Sequence, residues 1–130
     1  MRATYLDFSA IVKLVVAEPE SRALRAHLRR RKPLLSSALA RTEVVRALLP
    51  AGAIAMARGR EVLRRLDLIR INERVLDLAG TLEPAQVRSV DAIHLATAQL
   101  LGEDLSQIIT YDDRMADAAR SLGLKTMSPV

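Results

Sequence analysis

The sequence predicts an α/β fold of three layers, a central parallel sheet of four to five strands with helices on both faces. Half of the residues are hydrophobic while aromatics make up only 2%, so the interior must be filled by Ala, Leu, Val and Ile, which suits stacked aliphatic layers. Short β-forming runs alternate with helical stretches along the whole chain. The connections are brief, and such alternation implies parallel strands joined by crossover helices. A length of 130 residues matches one domain, residues 1–130, able to bury about two-thirds of its unfolded surface.

The elements follow in order. "ATYLDFS" reads as a strand ending near Asp7, and "SAIVKLVVAEP" as a helix that stops at Pro19. "PESRALRAHLRRRK" is an amphipathic helix with Pro19 near its first turn and Pro33 beyond its end; Ala23, Leu24 and Leu28 face the core and the arginines face outward. "PLLSSA" is a brief strand, "LARTEVVRALLP" a helix up to Pro50, and "AIAMARGREVLRRL" a further helix. "LDLIRI" alternates enough for a strand, and "NERVLDLAGTL" is a helix capped by Asn72. "SVDAIHLATAQLLG" is apolar on nearly every side, the mark of a buried helix, with Ser89 as its expected cap. "SQIIT" is a strand, "YDDRMADAARSLG" a helix closed by Gly123, and "LKTMS" the last strand.

Composition narrows the classes of function. Without cysteine, a disulfide framework and thiolate metal sites are excluded, and a reducing cytoplasm is the expected location. The opening residues carry no signal-peptide pattern. The longest uncharged run, "ALLPAGAIAMA", is far short of the roughly 20 residues a span requires, so no membrane contact is expected. The net charge of +5 favours polyanions. Its cations gather in two segments, Arg22 to Lys32 and Arg58 to Arg70, each readable as a solvated helix face or as a surface that follows phosphates.

Four acids stand out against this background. Asp7 and Asp112 each close a strand and open a helix, where an acid serves as an N-cap or, if the two strands are neighbours, lines the crevice in which such sheets bind ligands. Asp91 lies among Val90, Ala92, Ile93, Leu95 and Ala96, an apolar setting in which a lone carboxylate is costly; its bland role is an anion in a helix first turn. Glu43 falls near the start of a helix, where pairing with Arg46 or Arg70 is the alternative. Together they make an all-oxygen donor set that suits Mg²⁺ or Mn²⁺. His94, three residues on from Asp91, reads as a hydrogen-bonded core imidazole, with a general base or ligand as the alternative, and His27 as exposed.

"YLDFSAIVKL", "RTEVVRAL", "SVDAIHLATA" and "ITYDDRMADAA", in this order over nearly the full chain, resemble the PIN domain of VapC-type toxins from bacterial toxin–antitoxin pairs. The resemblance implies a metal-dependent endoribonuclease in which Asp7, Glu43, Asp91 and Asp112 are catalytic and hold Mg²⁺ or Mn²⁺, with Asp113 in support. Ser9 matches the small polar position that relatives place near the metal; Phe8 departs from the hydroxyl residue many of them carry after the first acid. It further implies structured RNA such as tRNA as substrate, a VapB-type antitoxin as partner, a homodimer and a toxin–antitoxin hetero-oligomer. Two rivals differ in class. One is a non-catalytic module that binds RNA or protein, its acids structural; the other is a phosphatase-like phosphotransfer domain, which would want a second Asp where Ser9 stands.

Overall fold

A computed structural model describes residues 2–130. Five strands, β1 (Ala3–Leu6), β2 (Leu34–Ser37), β3 (Asp67–Ile69), β4 (Leu105–Ile109) and β5 (Thr126–Met127), form one sheet in the order β3-β2-β1-β4-β5. Every pairing is parallel. The chain steps outward from β1 to β3, then returns to the centre to lay β4 against the other side of β1. Strand order therefore reverses between β1 and β4, the place where the loops leaving two neighbouring strands diverge and open a crevice.

The helices are α1 (Phe8–Lys13), α2 (Ser21–Leu28), α3 (Ala40–Leu48), α4 (Ala53–Arg64), α5 (Glu73–Gly80), α6 (Ser89–Gln99) and α7 (Asp113–Ser121). Successive residues of a strand point to opposite faces, and the central strands, buried on both, feed two cores. Leu6 and Ile109 join Ile11, Leu24, Val44 and Leu48 on one side. Tyr5 and Ile108 join Leu95, Met115 and Ala119 on the other. Asn72 caps α5 as expected, its side chain accepting from Val75 N at 3.0 Å. Gly123, at φ 77°, supplies the left-handed turn that ends α7.

Several boundaries differ from the sequence expectation. The first helix ends at Lys13, well before Pro19, because the chain turns back there: Lys13 Nζ pairs with Glu20 at 2.8 Å and Ser21 Oγ donates to Val16 O at 3.1 Å. Arg88, without a side-chain cap bond, occupies the cap position of α6, and Ser89 is already its first residue. Val90 is 43% exposed, so the apolar surroundings read around Asp91 hold only on the side of Ala92, Leu95 and Ala96. His27 is half-buried and its Nε2 meets Gln107 Oε1 at 3.2 Å, since α2 packs back toward β4. A 3-10 turn at Gly102–Asp104 has no counterpart in the sequence pattern. Among the described residues no helix is long and apolar enough to cross a membrane.

Candidate active site

Pairing of Leu6 with Ile109 sets the next residues, Asp7 and Thr110, abreast at the carboxyl end of the sheet. Asp7 is only 2% exposed. Its Oδ1 accepts from Ser9 Oγ at 2.6 Å and from Ala10 N at 3.1 Å, and its Oδ2 accepts from Thr110 Oγ1. Asp7 is thus an N-cap of α1 and a buried acid at the same time. Burial pushes its carboxyl above the ordinary range; the bonds from Ser9, Thr110 and Ala10, and then the nearby His94, act against that rise.

The two hydroxyls that hold Asp7 also hold the loop leading to Asp112. Ser9 Oγ accepts from Tyr111 N at 2.9 Å, and Thr110 Oγ1 accepts from Asp112 N at 3.1 Å. Asp112 in turn caps α7, its Oδ1 accepting from Arg114 N at 2.9 Å and Met115 N at 3.4 Å. Both bland readings of these acids are correct as far as they go. Capping and membership of one crevice coexist because each helix starts at the crevice edge. Asp113 is exposed as the first residue of α7.

Asp91 sits in the first turn of α6, half-buried. Burial raises its carboxyl first, the charge of Asp112 next, and Glu43 adds to the rise, while Arg88 and His94 oppose it. Glu43 stands in the first turn of α3 and pairs with neither Arg46 nor Arg70. Its Oε1 accepts from His94 Nε2. The other ring nitrogen, Nδ1, shares a hydrogen bond of 2.6 Å with the hydroxyl of Tyr5. His94, 1% exposed, is therefore the satisfied core imidazole expected, yet it links the buried phenol of β1 to a site acid. Burial, with Asp7 and Glu43 behind it, pushes the Tyr5 phenol upward, so it stays a neutral donor.

The four acids, from four separate segments, thus stand toward one end of the sheet, where Asp112 and Glu43 both lie near enough to Asp91 to disfavour its charge. The donors are all oxygen, and a hard cation is the charge such a group lacks. Among the described residues no group of three or more acids or imidazoles is placed to hold a metal ion. The set fits a divalent ion in donor chemistry and charge without being closed around one. Sequence reasoning missed Thr110, whose only signal was a hydroxyl two residues ahead of a capping acid.

The PIN domain family model matches residues 4–121. Ribonuclease VapC46 of Mycobacterium tuberculosis is 61% identical over 129 residues, covering 99% of each chain. Among solved structures, a toxin–antitoxin complex from Klebsiella pneumoniae matches with a TM-score of 0.75 at 21% identity, over 98% of each chain. VapC20 of M. tuberculosis, a toxin that cleaves the sarcin–ricin loop, matches with a TM-score of 0.76 at 14% identity, over 98% of this chain and 100% of its own. At those identities the structures share the fold.

Proposed function

Because the chain belongs to the VapC ribonucleases of the PIN-domain family, we propose that it is a metal-dependent endoribonuclease and the toxin of a toxin–antitoxin pair, with Asp7, Glu43, Asp91 and Asp112 as its catalytic, metal-holding acids. The observation that carries this reading is the placement of Asp91, in the first turn of α6, within range of the charges of Asp112 and Glu43, at the same end of the sheet as the buried Asp7 that caps α1. A fold does not gather such charges for stability. Mg²⁺ or Mn²⁺, when bound, would lower the pKa of a water and neutralise charge developing on the phosphate.

The protein's own groups supply the positioning. Three bonds from Ser9, Ala10 and Thr110 immobilise Asp7, the cap of α7 fixes Asp112, and the chain from Tyr5 through His94 orients Glu43. Ser9 is a positioning residue, tying Asp7 to the Tyr111 backbone, and Asp113 is a supporting acid at the rim. Hydrolysis by water with the 3′ oxygen leaving gives 5′-phosphate and 3′-hydroxyl ends. With aromatics scarce, a base-stacking platform is excluded as the main mode of recognition. Folded RNA such as tRNA is the substrate class that the resemblance to VapC-type toxins implies, and it would be read by shape and phosphate. The partners are a VapB-type antitoxin covering the acids and a second copy of the chain, in the cytoplasm.

The test is incubation of the purified chain with total tRNA in Mg²⁺ or Mn²⁺, in EDTA, and in EDTA followed by excess Mn²⁺, with end-group analysis of the fragments. Cleavage that needs the ion, returns with it and leaves 5′-phosphates is expected. Cleavage indifferent to EDTA, or 2′,3′-cyclic phosphate ends, would overturn the reading.

A further inference from the structure

The two basic segments of the sequence meet in space. A cavity of about 380 Å³ is lined by Arg25, Arg29 and Lys32 from the α2 segment and by Arg65 from the end of α4, with Asp67 as its one acid. All four cations are exposed, and among the described residues none forms an ion pair with a carboxylate. The cavity opens where β2 and β3 begin, at Pro33, Leu34 and Asp67. Leu34 pairs with Thr4, so this is the amino end of the sheet, roughly 10 Å back along the strands from Asp7 at about 3.3 Å per residue.

That distance separates two roles. Charges beyond a Debye length of about 8 Å are largely screened at physiological salt, so these cations do not serve to balance the site acids. Arg29 and Arg65 follow the last residues of α2 and α4, where a cation suits the helix dipole. Arg25 has only an exposed bond to Leu14 O at 3.2 Å, and the helix dipole gives Lys32 no purpose. Leu66 forms a wall of this cavity and also of a second, of about 700 Å³, which carries Arg41, Arg60 and Arg64 and reaches Thr42, next to Glu43. The two cavities thus share the wall at Leu66, and of the second cavity's cations Arg64 is paired with Glu61 while Arg41 and Arg60 are not paired with a carboxylate among the described residues.

We infer that the cavity of Arg25, Arg29, Lys32 and Arg65 is a phosphate-binding exosite that holds the RNA backbone away from the cleaved bond, the adjoining cavity with Arg41 and Arg60 leading the strand to the acids. The inference rests on the ribonuclease reading and adds to it which part of the substrate is held and where. Repeated phosphates match a row of guanidinium groups, and such phosphate bonds carry no base information, so they favour long or folded RNA over short pieces of the same sequence.

The test replaces Arg29, Lys32 and Arg65 with Gln in the full chain, beside a control of equal charge loss, Arg74, Arg120 and Lys125 to Gln, on the other helices and sheet edge. Binding of total tRNA is measured in EDTA against salt, in an Asp7→Asn background. The log–log slope should fall by about 2 to 3 once three phosphates are no longer neutralised, and little in the control. In Mg²⁺ with Asp7 intact, the KM for tRNA should rise about tenfold at unchanged kcat, while cleavage of a short oligonucleotide bearing the same bond stays as in the parent. If the parent cleaves RNA and the triple variant keeps its slope and KM, the exosite is wrong and the ribonuclease stands. Equal flattening in the control also overturns the exosite, as does loss of antitoxin binding without loss of tRNA binding. A parent that neither binds nor cleaves RNA removes both.

Discussion

Asp7→Asn separates a catalytic acid from a structural one, and its effect follows from the contacts of Asp7. In EDTA the variant removes a full charge from a site 2% exposed, relieving a desolvation cost of several kcal/mol. Against that, asparagine keeps an oxygen for Ser9 Oγ and Ala10 N but presents an amide nitrogen to Thr110 Oγ1. That hydroxyl already accepts from Asp112 N and has a second lone pair for the amide, yet its own proton loses its acceptor, a cost of about 1 to 3 kcal/mol. The balance is a stabilisation of about 1 kcal/mol, or a rise in Tm of roughly 3 to 5 °C for a chain of this size. The sign with pH follows from linkage: burial raises Asp7 in the folded state, so its contribution to stability is fully present in acid and is lost as pH rises through the raised folded value. The advantage of the variant should therefore vanish below the ordinary carboxylate range and be complete above that raised value. Cleavage of tRNA in Mg²⁺ or Mn²⁺ should fall by about 100-fold or more, the scale on which a catalytic carboxylate acts. Thermal unfolding in EDTA across pH, beside cleavage on the same preparations, decides the matter. A lower Tm with cleavage retained would make Asp7 only the cap of α1 and remove it from the catalytic set.

Asp112→Ser should keep the cap of α7 to within about 0.5 kcal/mol and still lose most cleavage, whereas Asp112→Ala should lose both cap and cleavage; a serine variant with normal cleavage in the same assays would leave Asp112 as a cap alone. Gly59→Ala is expected to lower Tm by roughly 3 to 5 °C, because a Cβ there runs into Leu48 Cδ1 and meets Val44 Cγ1 at 3.5 Å. Leu48 is 1% exposed, so its Cδ1 must shift against other core side chains, and overpacking of about 1 to 3 kcal/mol outweighs the roughly 1 kcal/mol alanine adds to a helix; a higher Tm by calorimetry would show that the Leu48 tip relaxes freely.

Features written over a few neighbouring residues were legible in the chain alone. The alternation of short aliphatic runs with helical stretches was enough for the layers and the parallel sheet, because period and turn chemistry act at short range. Asn72 as a cap, Gly123 as a helix end and Pro50 near the end of α3 were readable for that reason, and so were the four acids, each conspicuous beside its own neighbours. What these pieces do to one another came from the packed molecule. The end of α1 at Lys13 depends on Glu20 and on the Tyr111 ring 4.8 Å from the Lys13 ammonium, neither of which a helical pattern contains. The bond from Glu43 to His94, rather than to an arginine, spans 51 residues, and that from Tyr5 to His94 spans 89. Thr110 meets Asp7 across 103 residues because β1 and β4 are neighbours. The convergence of the α2 and α4 arginines has the same origin. Strand order is set by which surfaces bury most completely against each other, a property of the whole chain, so the meeting of two distant charged segments is written in no window of the sequence.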